Sequence, residues 1–354
     1  MTMNFAFMCK PNEVTRTGKK VAVIGAGPAG LAATGYLVCR GHAVHVFDKL
    51  PYPGGLMIFS IPSRRIRPGH VLEGAKVLEE KFSVEFNLKT KVIASDENVH
   101  EEGDDFVDKV VKLEDIINEY DAVLIATGIW KSPKLGIPGE DLEGVIGALE
   151  FLYRWKTYEL NLLPRENIVD VSRRKVAVIG AGHSAVDAAT TALEMGAREV
   201  YLLYRRTINE APAGRYEISE AIREGIKWIE LVSPLKVNGS RHVSSITLVR
   251  NRLEEPSSGG RPRPVPIPGT EFDLEVDFVI FAVGERPTPP PGVSKIGIQV
   301  NEKYGNVQIN EEFRTSVKNV FAAGDVVTGP SFVGRAIEAG LRAGRAIDRY
   351  LSRI

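Results

Sequence analysis

The stretch KVAVIGAGPAG at residues 20–30 returns at residues 175–185 as KVAVIGAGHSA. In each copy, β-favouring apolar residues run straight into a glycine turn that opens an alanine-rich helical stretch. Strand, tight turn and helix in that order open a fold that holds a dinucleotide by its phosphates. In the first copy Gly25 allows the tight turn, Gly27 lets backbone approach a pyrophosphate, and Gly30 lets the helix pack closely on the strand. Pro28 and Ala29 lie within the same turn. The unpaired N–H groups of the helix N-terminus, and the macrodipole behind them, favour a bound anion. A second strand over Ala43–Phe47 then ends in Asp48, a carboxylate placed to hydrogen-bond ribose hydroxyls.

The second copy carries Gly180, Gly182, His183, Ser184 and Ala185 in its turn. A mononucleotide fold that recurs within one chain implies two dinucleotides. Here the second strand, residues 200–204, ends not in an acid but in Arg205 and Arg206. Two cationic donors attract a 2′-phosphate where a carboxylate repels it, so this site is expected to prefer NADPH to NADH; a solvated arginine pair is the alternative. His183 either donates to the phosphates or only holds position, and no catalysis is assigned to it.

Other stretches add to this frame. Gly54 and Gly55, followed by Leu56, form either a flexible loop or a place where backbone lies close to a flat ligand. The apolar run 122–126 ends at Ala126 and is followed by Thr127 and Gly128, while the run 277–283 closes on Gly284. In a parallel sheet such strand ends face the ligand crevice. Near the C-terminus, residues 319–323 lead into Gly324 and Asp325, with a long helix from about Phe332. Asp325 reads either as an acid for a ribose or polyol hydroxyl or as a turn residue. Arg64, Arg65 and Arg67 form a solvated basic loop or a contact for an acidic partner. Residues 70–82 read as an amphipathic helix, 136–139 (GIPG) as a crossing between domains, and 249–270 as a surface loop.

At 354 residues the chain has the length of two domains. Lys plus Arg and Asp plus Glu number 45 each, so net charge points to neither nucleic acid nor an anionic membrane. No apolar run reaches the ~18 residues of a membrane span. The opening MTMNFAFMCK lacks the features of a secretory signal, so a cytoplasmic protein is expected. Cys9 and Cys39 give no CxxC pair, no disulfide framework and too few thiolates for an iron–sulfur cluster. Cys39 reads as a small buried hydrophobe, and Cys9 lies on an arm without visible structure.

GAGPAG, then ATG, then a second glycine turn followed by YRR, then AAGD together resemble the flavoprotein reductases with two dinucleotide-binding domains. The closer resemblance is to the small (β) subunit of glutamate synthase and its relatives, which include the NADPH-handling part of dihydropyrimidine dehydrogenase and NADPH:ferredoxin oxidoreductases. It rests on PGGLMIFSIPSRR, EYDAVLIATGIWKSPKLGIPGEDLEGV, AVIGAGHSAVDAA, VYLLYRR, VPIPGTEFDLEVDFVIFAVGERP and NVFAAGDVVTGPSFVGRAIEAG, spread over nearly everything from Lys19 onwards.

This resemblance implies an α/β chain of two Rossmann-like domains, an NADPH domain at 143–286 inserted in an FAD domain made of 1–142 and 287–354. It implies that the first turn holds the ADP half of FAD with Asp48, Lys49 and Val92, Asp48 standing where the family usually has Glu. Gly54, Gly55 and Leu56 are then placed against the isoalloxazine, and Gly324 and Asp325 at the flavin ribityl or pyrophosphate. Phe332 and Val333 present backbone N–H groups to the flavin O2 edge, and Ala126, Thr127, Gly128 and Gly284 join the cofactor contacts. The second turn, with Arg205 and Arg206, holds NADPH, and His183 stands where the family commonly has Asn.

Subunits of this family usually carry an N-terminal iron–sulfur domain, but the residues before Lys20 hold one cysteine. The electron acceptor is therefore expected to be a separate ferredoxin or an iron–sulfur partner subunit, such as a glutamate synthase large subunit. The dithiol of thioredoxin or glutathione reductases is missing, so disulfide reduction is not expected. The expected function is an FAD-dependent oxidoreductase that passes hydride from NADPH to FAD and electrons on to that partner. The alternatives are an NAD(P)H oxidase or quinone reductase with a small acceptor, and a flavoprotein subunit that binds without turnover.

Overall fold

The computed structural model describes residues 3–95, 100–255 and 260–354. In chain order the first elements are Lys20–Ile24 (β1), Pro28–Cys39 (α1), Ala43–Phe47 (β2), Glu85–Asn87 (β3) and Ala122–Ile125 (β4). There follow Val145–Gly147 (β5), Lys175–Ile179 (β6), His183–Glu194 (α2), Glu199–Leu203 (β7), Lys227–Ile229 (β8), Val243–Glu254 (β9), Arg263–Pro266 (β10) and Phe278–Phe281 (β11). The chain closes with Val320–Ala322 (β12) and Val333–Leu351 (α3). One parallel sheet has the order β12-β4-β1-β2-β3 and the other β8-β7-β6-β11-β5. In both, the strand that feeds the glycine turn lies in the middle. Val21, Ala22, Val23, Val176, Ala177 and Val178 are fully buried, which is why these strands read as unbroken apolar runs.

Two compact units result, Met1–Lys131 with Glu285–Ile354, and Ser132–Gly284 inserted between them in the sequence. The divisions fall at 131/132 and 284/285 rather than at 142/143 and 286/287. The first difference has a local cause. A Cβ on Gly139 would stand 2.0 Å from Val237 O, and Val237 N–H donates to Pro138 O at 2.9 Å, so the GIPG segment packs within the inserted unit.

Helix α1 is buried along its whole length from Ala29 to Val38. Only small residues permit such close wrapping. A Cβ on Gly35 would stand 2.0 Å from Phe5 O, and one on Gly340 of α3 would stand 2.1 Å from Ala29 O. The N-terminal arm is thus a packed element, with Phe5 and Ala6 buried and Met3 N–H donating to His70 O at 3.0 Å. This placement corrects the reading of the cysteines. The arm runs back to the end of α1 and brings the Cα atoms of Cys9 and Cys39 to 5.4 Å, where they form a disulfide.

The segment 249–270 is likewise not a plain surface loop. Strand β9 continues through it to Glu254 and pairs antiparallel with β10, Asn251 opposite Pro266 and Glu254 opposite Arg263. Residues 256–259 of that stretch lie outside the described residues. The helix expected over 70–82 spans Pro68–Phe82. Among the described residues no helix is long and apolar enough to cross a membrane.

Candidate functional site

The first glycine turn carries a structural surplus. Gly25 (φ 104) is required by its own backbone, and a Cβ there would stand 2.3 Å from Ala126 O. Gly30 is required by packing, since a Cβ would stand 1.9 Å from Gly25 O. Gly27 is required by neither. It caps α1 at φ −73, an ordinary value, and nothing lies within 4 Å of its Cβ position. The chain keeps open a space that a side chain would fill, directly at a helix N-terminus. Pro28 and Ala29 open that helix, and no side chain caps its donors.

Asp48 ends β2 beside this turn and is buried. Its Oδ2 accepts from Ala26 N–H at 2.5 Å and its Oδ1 from Leu50 N–H at 2.8 Å. Burial pushes its carboxyl above the usual carboxylate range, against the opposing pull of those two donors and of Lys49. Gly25, Asp48, Lys49, Val92 and Thr127 line one cleft. The Lys49 ammonium is already matched there. It meets Glu101 at 2.8 Å and Asp104 at 3.6 Å and lies 4.8 Å over the Trp130 ring, so it forms a wall of the cleft rather than a spare cation. Thr127 Oγ1 donates to Thr288 O at 2.7 Å, and Thr288 N–H donates to Gly128 O at 3.0 Å, closing the far side.

The loop bearing Gly54 and Gly55 lies on the same turn. Gly54 (φ 132) donates its N–H to Ala26 O at 2.8 Å, and a Cβ on Gly55 (φ 53) would stand 2.9 Å from Gly27 Cα. Backbone conformation and contact with the turn therefore account for this pair, and Leu56 follows as the start of a short helix, Leu56–Phe59. Gly324 approaches from the other side, its Cβ position 2.7 Å from Ala29 Cβ. Asp325 comes next and accepts from Ser331 Oγ at 2.5 Å. Phe332, 55% exposed, caps α3, Val333 begins the helix, and again no side chain caps the donors.

Glu285 belongs to this neighbourhood and was not singled out in the sequence. Burial, and then the charge of Asp325, push its carboxyl upward; Asp325 is itself raised by burial, against the pull of Ser331. A carboxyl whose pKa is raised on folding favours the protonated native state. Its contribution is fully present below the unfolded value, near 4, and is lost as pH rises through the folded pKa. Cofactor-free Asp325→Asn is therefore expected to melt above the parent at pH 8, by roughly 2–4 °C per kcal/mol relieved. The gain should vanish at pH 4. A melting series across that range checks it, and a constant difference would remove the titration of Asp325 as its cause.

The second turn repeats the surplus. A Cβ on Gly180 (φ 141) would stand 2.2 Å from Ala282 O, whereas Gly182 caps α2 at φ −84 with nothing within 4 Å of its Cβ position. His183 is the first residue of α2, Ser184 follows it, and Ala185 is buried against the sheet. Gly284 (φ 104) ends the segment after β11 with open space around it. Arg205 and Arg206 stand just beyond β7, held by the β9–β10 hairpin. Asn251 Nδ2 donates to Arg205 O at 3.1 Å, and Arg206 Nε donates to Pro262 O at 2.7 Å. Asn251 and Pro262 are further residues that the sequence did not flag. One guanidinium nitrogen of Arg206 is thereby spent on backbone, which fixes the direction of the group.

Residues 19–340 match the family model described as pyridine nucleotide-disulphide oxidoreductase. The chain is 37% identical over 354 residues to the glutamate synthase [NADPH] small chain of Halomonas elongata, covering 98% of this chain and 71% of that one. It is 38% identical over 341 residues to the NADP(+)-dependent formate dehydrogenase subunit beta of Moorella thermoacetica, covering 95% of this chain but 44% of the relative. Among solved structures, Mycobacterium tuberculosis FprA in complex with NADPH shares the fold at TM-score 0.73 and 21% identity, over 95% of this chain and 85% of that one.

Proposed function

Since the chain belongs to the pyridine nucleotide-disulphide oxidoreductase family, as an FAD-dependent NAD(P)H oxidoreductase similar to the glutamate synthase small chain, we propose that it draws electrons from NADPH through FAD and hands them to a separate iron–sulfur protein. One observation carries the assignment of the two sites: equivalent glycine turns, each with a space that no side chain fills, end in Asp48 in one unit and in Arg205 and Arg206 in the other. Asp48 suits unphosphorylated ribose hydroxyls, and the arginine pair suits a 2′-phosphate. FAD thus belongs to the first unit and NADPH to the second.

FAD, when bound, accepts two electrons together and releases them singly, which suits a one-electron iron–sulfur acceptor. The chain's own residues bind, orient and tune. The uncapped first turn of α1 takes the pyrophosphate, with Gly27 supplying the close approach. Asp48, aligned by Ala26 and Leu50, accepts from the adenosine ribose. Asp325 accepts from a ribityl hydroxyl, and the start of α3 at Phe332 and Val333, which no side chain caps, favours negative charge at the ring edge. The uncapped start of α2 takes the NADPH pyrophosphate, with His183 and Ser184 at its rim. No residue is assigned a proton transfer.

Glutamate synthase small chain and formate dehydrogenase subunit beta are names of subunits, which favours a protein partner over a small acceptor for this chain too. Exposed Arg64, Arg65 and Arg67 offer an acidic partner a docking surface. Reversing their charge is expected to slow ferredoxin reduction about tenfold at low salt and much less at high salt, checked by stopped-flow rates at several ionic strengths. An unchanged rate removes the surface.

The function itself is tested by anaerobic titration of the FAD-loaded protein with NADPH and, in parallel, NADH, followed by visible absorbance. Bleaching at much lower NADPH than NADH supports the reading. Failure to bleach leaves a binding subunit without turnover, and rapid aerobic consumption of NADPH by the protein alone favours an oxidase.

A further inference from the structure

Along α3, well past Phe332, the helix and the turn at residues 311–314 enclose a cavity of about 190 Å³. Five arginines line it, Arg314 from the turn and Arg342, Arg345, Arg349 and Arg353 from the helix and the residues just beyond. The spacing of Arg342, Arg345 and Arg349 puts these three on one helical face. Arg342 to Arg353 stand roughly 15–30 Å along the helix from Phe332, and the cavity shares no lining residue with the cleft at Asp48.

Charge here is not balanced within the chain. The lining carboxylates are Glu311 and Glu312, and Glu312 reaches Arg314 at 3.5 Å and Arg353 at 4.0 Å. Among the described residues no carboxylate lies within 4.0 Å of Arg345 or Arg349. Like charges four residues apart on a helix repel, as do Arg345 and Arg349. The helix macrodipole compensates cations in its last turn only, which leaves Arg342 and Arg345 unexplained.

The wall opposite the helix is strained. Phe313 has φ 61, in the left-handed region that bulky side chains avoid. The strain is held by Asn310, whose Oδ1 accepts from Glu312 N–H at 2.9 Å and from Arg314 N–H at 3.0 Å while its O accepts from Phe313 N–H at 3.0 Å. What the conformation delivers is the Phe313 ring, 5.2 Å beneath the Arg342 guanidinium. The turn thus holds one guanidinium against an aromatic face at the cavity wall.

We infer that this cavity binds a small polyanion, a molecule bearing two or more phosphate or carboxylate groups. Several guanidinium forks in one concave site match such groups bidentately, and each charge-assisted bond relieves the repulsion along the helix. Size separates this ligand from an acidic protein surface. Exposed Glu311 and Glu312 repel a broad acidic face, whereas a compact anion passes between them to the arginines.

The test is calorimetric titration of the FAD-loaded chain, held in saturating NADP⁺, with inorganic pyrophosphate in one arm and citrate in the other. Saturable binding in either arm is expected, and the better arm tells phosphate from carboxylate chemistry. Arg345→Ala/Arg349→Ala should weaken it tenfold or more. Phe313→Gly, which relieves the backbone and frees Arg342, should keep the fold and weaken binding severalfold. Equal binding by parent and double variant overturns the proposal, as does heat matched by sulfate at equal ionic strength. Binding of a poly-glutamate peptide but of neither small anion also overturns it and gives the face to an acidic partner. None of these outcomes depends on the electron-transfer reading.

Discussion

Replacing Gly27 with alanine is expected to leave the cofactor-free protein folded and to weaken its hold on FAD about 100-fold. The backbone at Gly27 is ordinary, at φ −73, and its Cβ position meets no atom within 4 Å, so the methyl costs the native chain nothing. At a compatible position, glycine to alanine even stabilises by about 0.4–1 kcal/mol through the unfolded state. What the methyl occupies is the approach of a pyrophosphate to the uncapped turn of α1. Charge-assisted hydrogen bonds are worth about 1.5–3 kcal/mol each, so losing one or two of them weakens FAD binding ~100-fold. Gly30→Ala is the contrast. Its Cβ would stand 1.9 Å from Gly25 O, turn and helix must part, and the variant should not fold at all. Flavin absorbance per mole of reconstituted protein, with a melting curve of the apoprotein, separates the two. A Gly27→Ala protein as yellow as the parent would sink the placement of FAD at this turn.

The second large effect is on nucleotide choice. Arg205→Ala/Arg206→Ala should lower kcat/KM for NADPH by roughly 100-fold, the worth of one or two charge-assisted bonds to a phosphate, while kcat/KM for NADH changes little. The two substrates differ by the 2′-phosphate alone. A common fall for both would mean that the pair only supports the hairpin that holds it, and the specificity argument would end there. Asn251 and Pro262 sharpen this experiment, because they hold one arginine through its carbonyl and the other through Nε. Asn251→Ala is expected to shift the same ratio in the same direction, by less.

Much of this was legible because backbone demands leave marks in sequence. Val21 to Ile24 and Val176 to Ile179 sit in the middle of parallel sheets, buried on both faces, and so read as apolar runs. The first turn's glycines read with separate parts, Gly25 and Gly30 for the fold and Gly27 for a ligand, and the close contacts at Gly25 and Gly30 agree, while nothing crowds Gly27 or Gly182. What stayed hidden depended on partners far along the chain. The arm before Lys20 has no periodicity, and its docking shows in glycines inside helices, Gly35 meeting the backbone of Phe5 and Gly74 that of Met3. The disulfide follows from that docking. Strand β9 did leave a signal past 249, since Arg250 and Arg252 alternate with Asn251 and Leu253, but the prolines and glycines beyond it outweighed that pattern. Glu285 and Phe313 left none, because burial beside another acid and a left-handed backbone are properties of place.

The order of strands also bears on how the chain is made. Strand β4 pairs with β1 on one side and on the other with β12, which is specified last. A ribosome adding about 5–20 residues per second needs roughly 10–40 s between the two. Through that interval the whole inserted unit emerges and can close its own sheet, while the Ala122–Ile125 edge waits with its backbone groups unpaired. The unit encoded in the middle thus matures first, and the nascent polypeptide is at its most vulnerable to aggregation at the edge of β4.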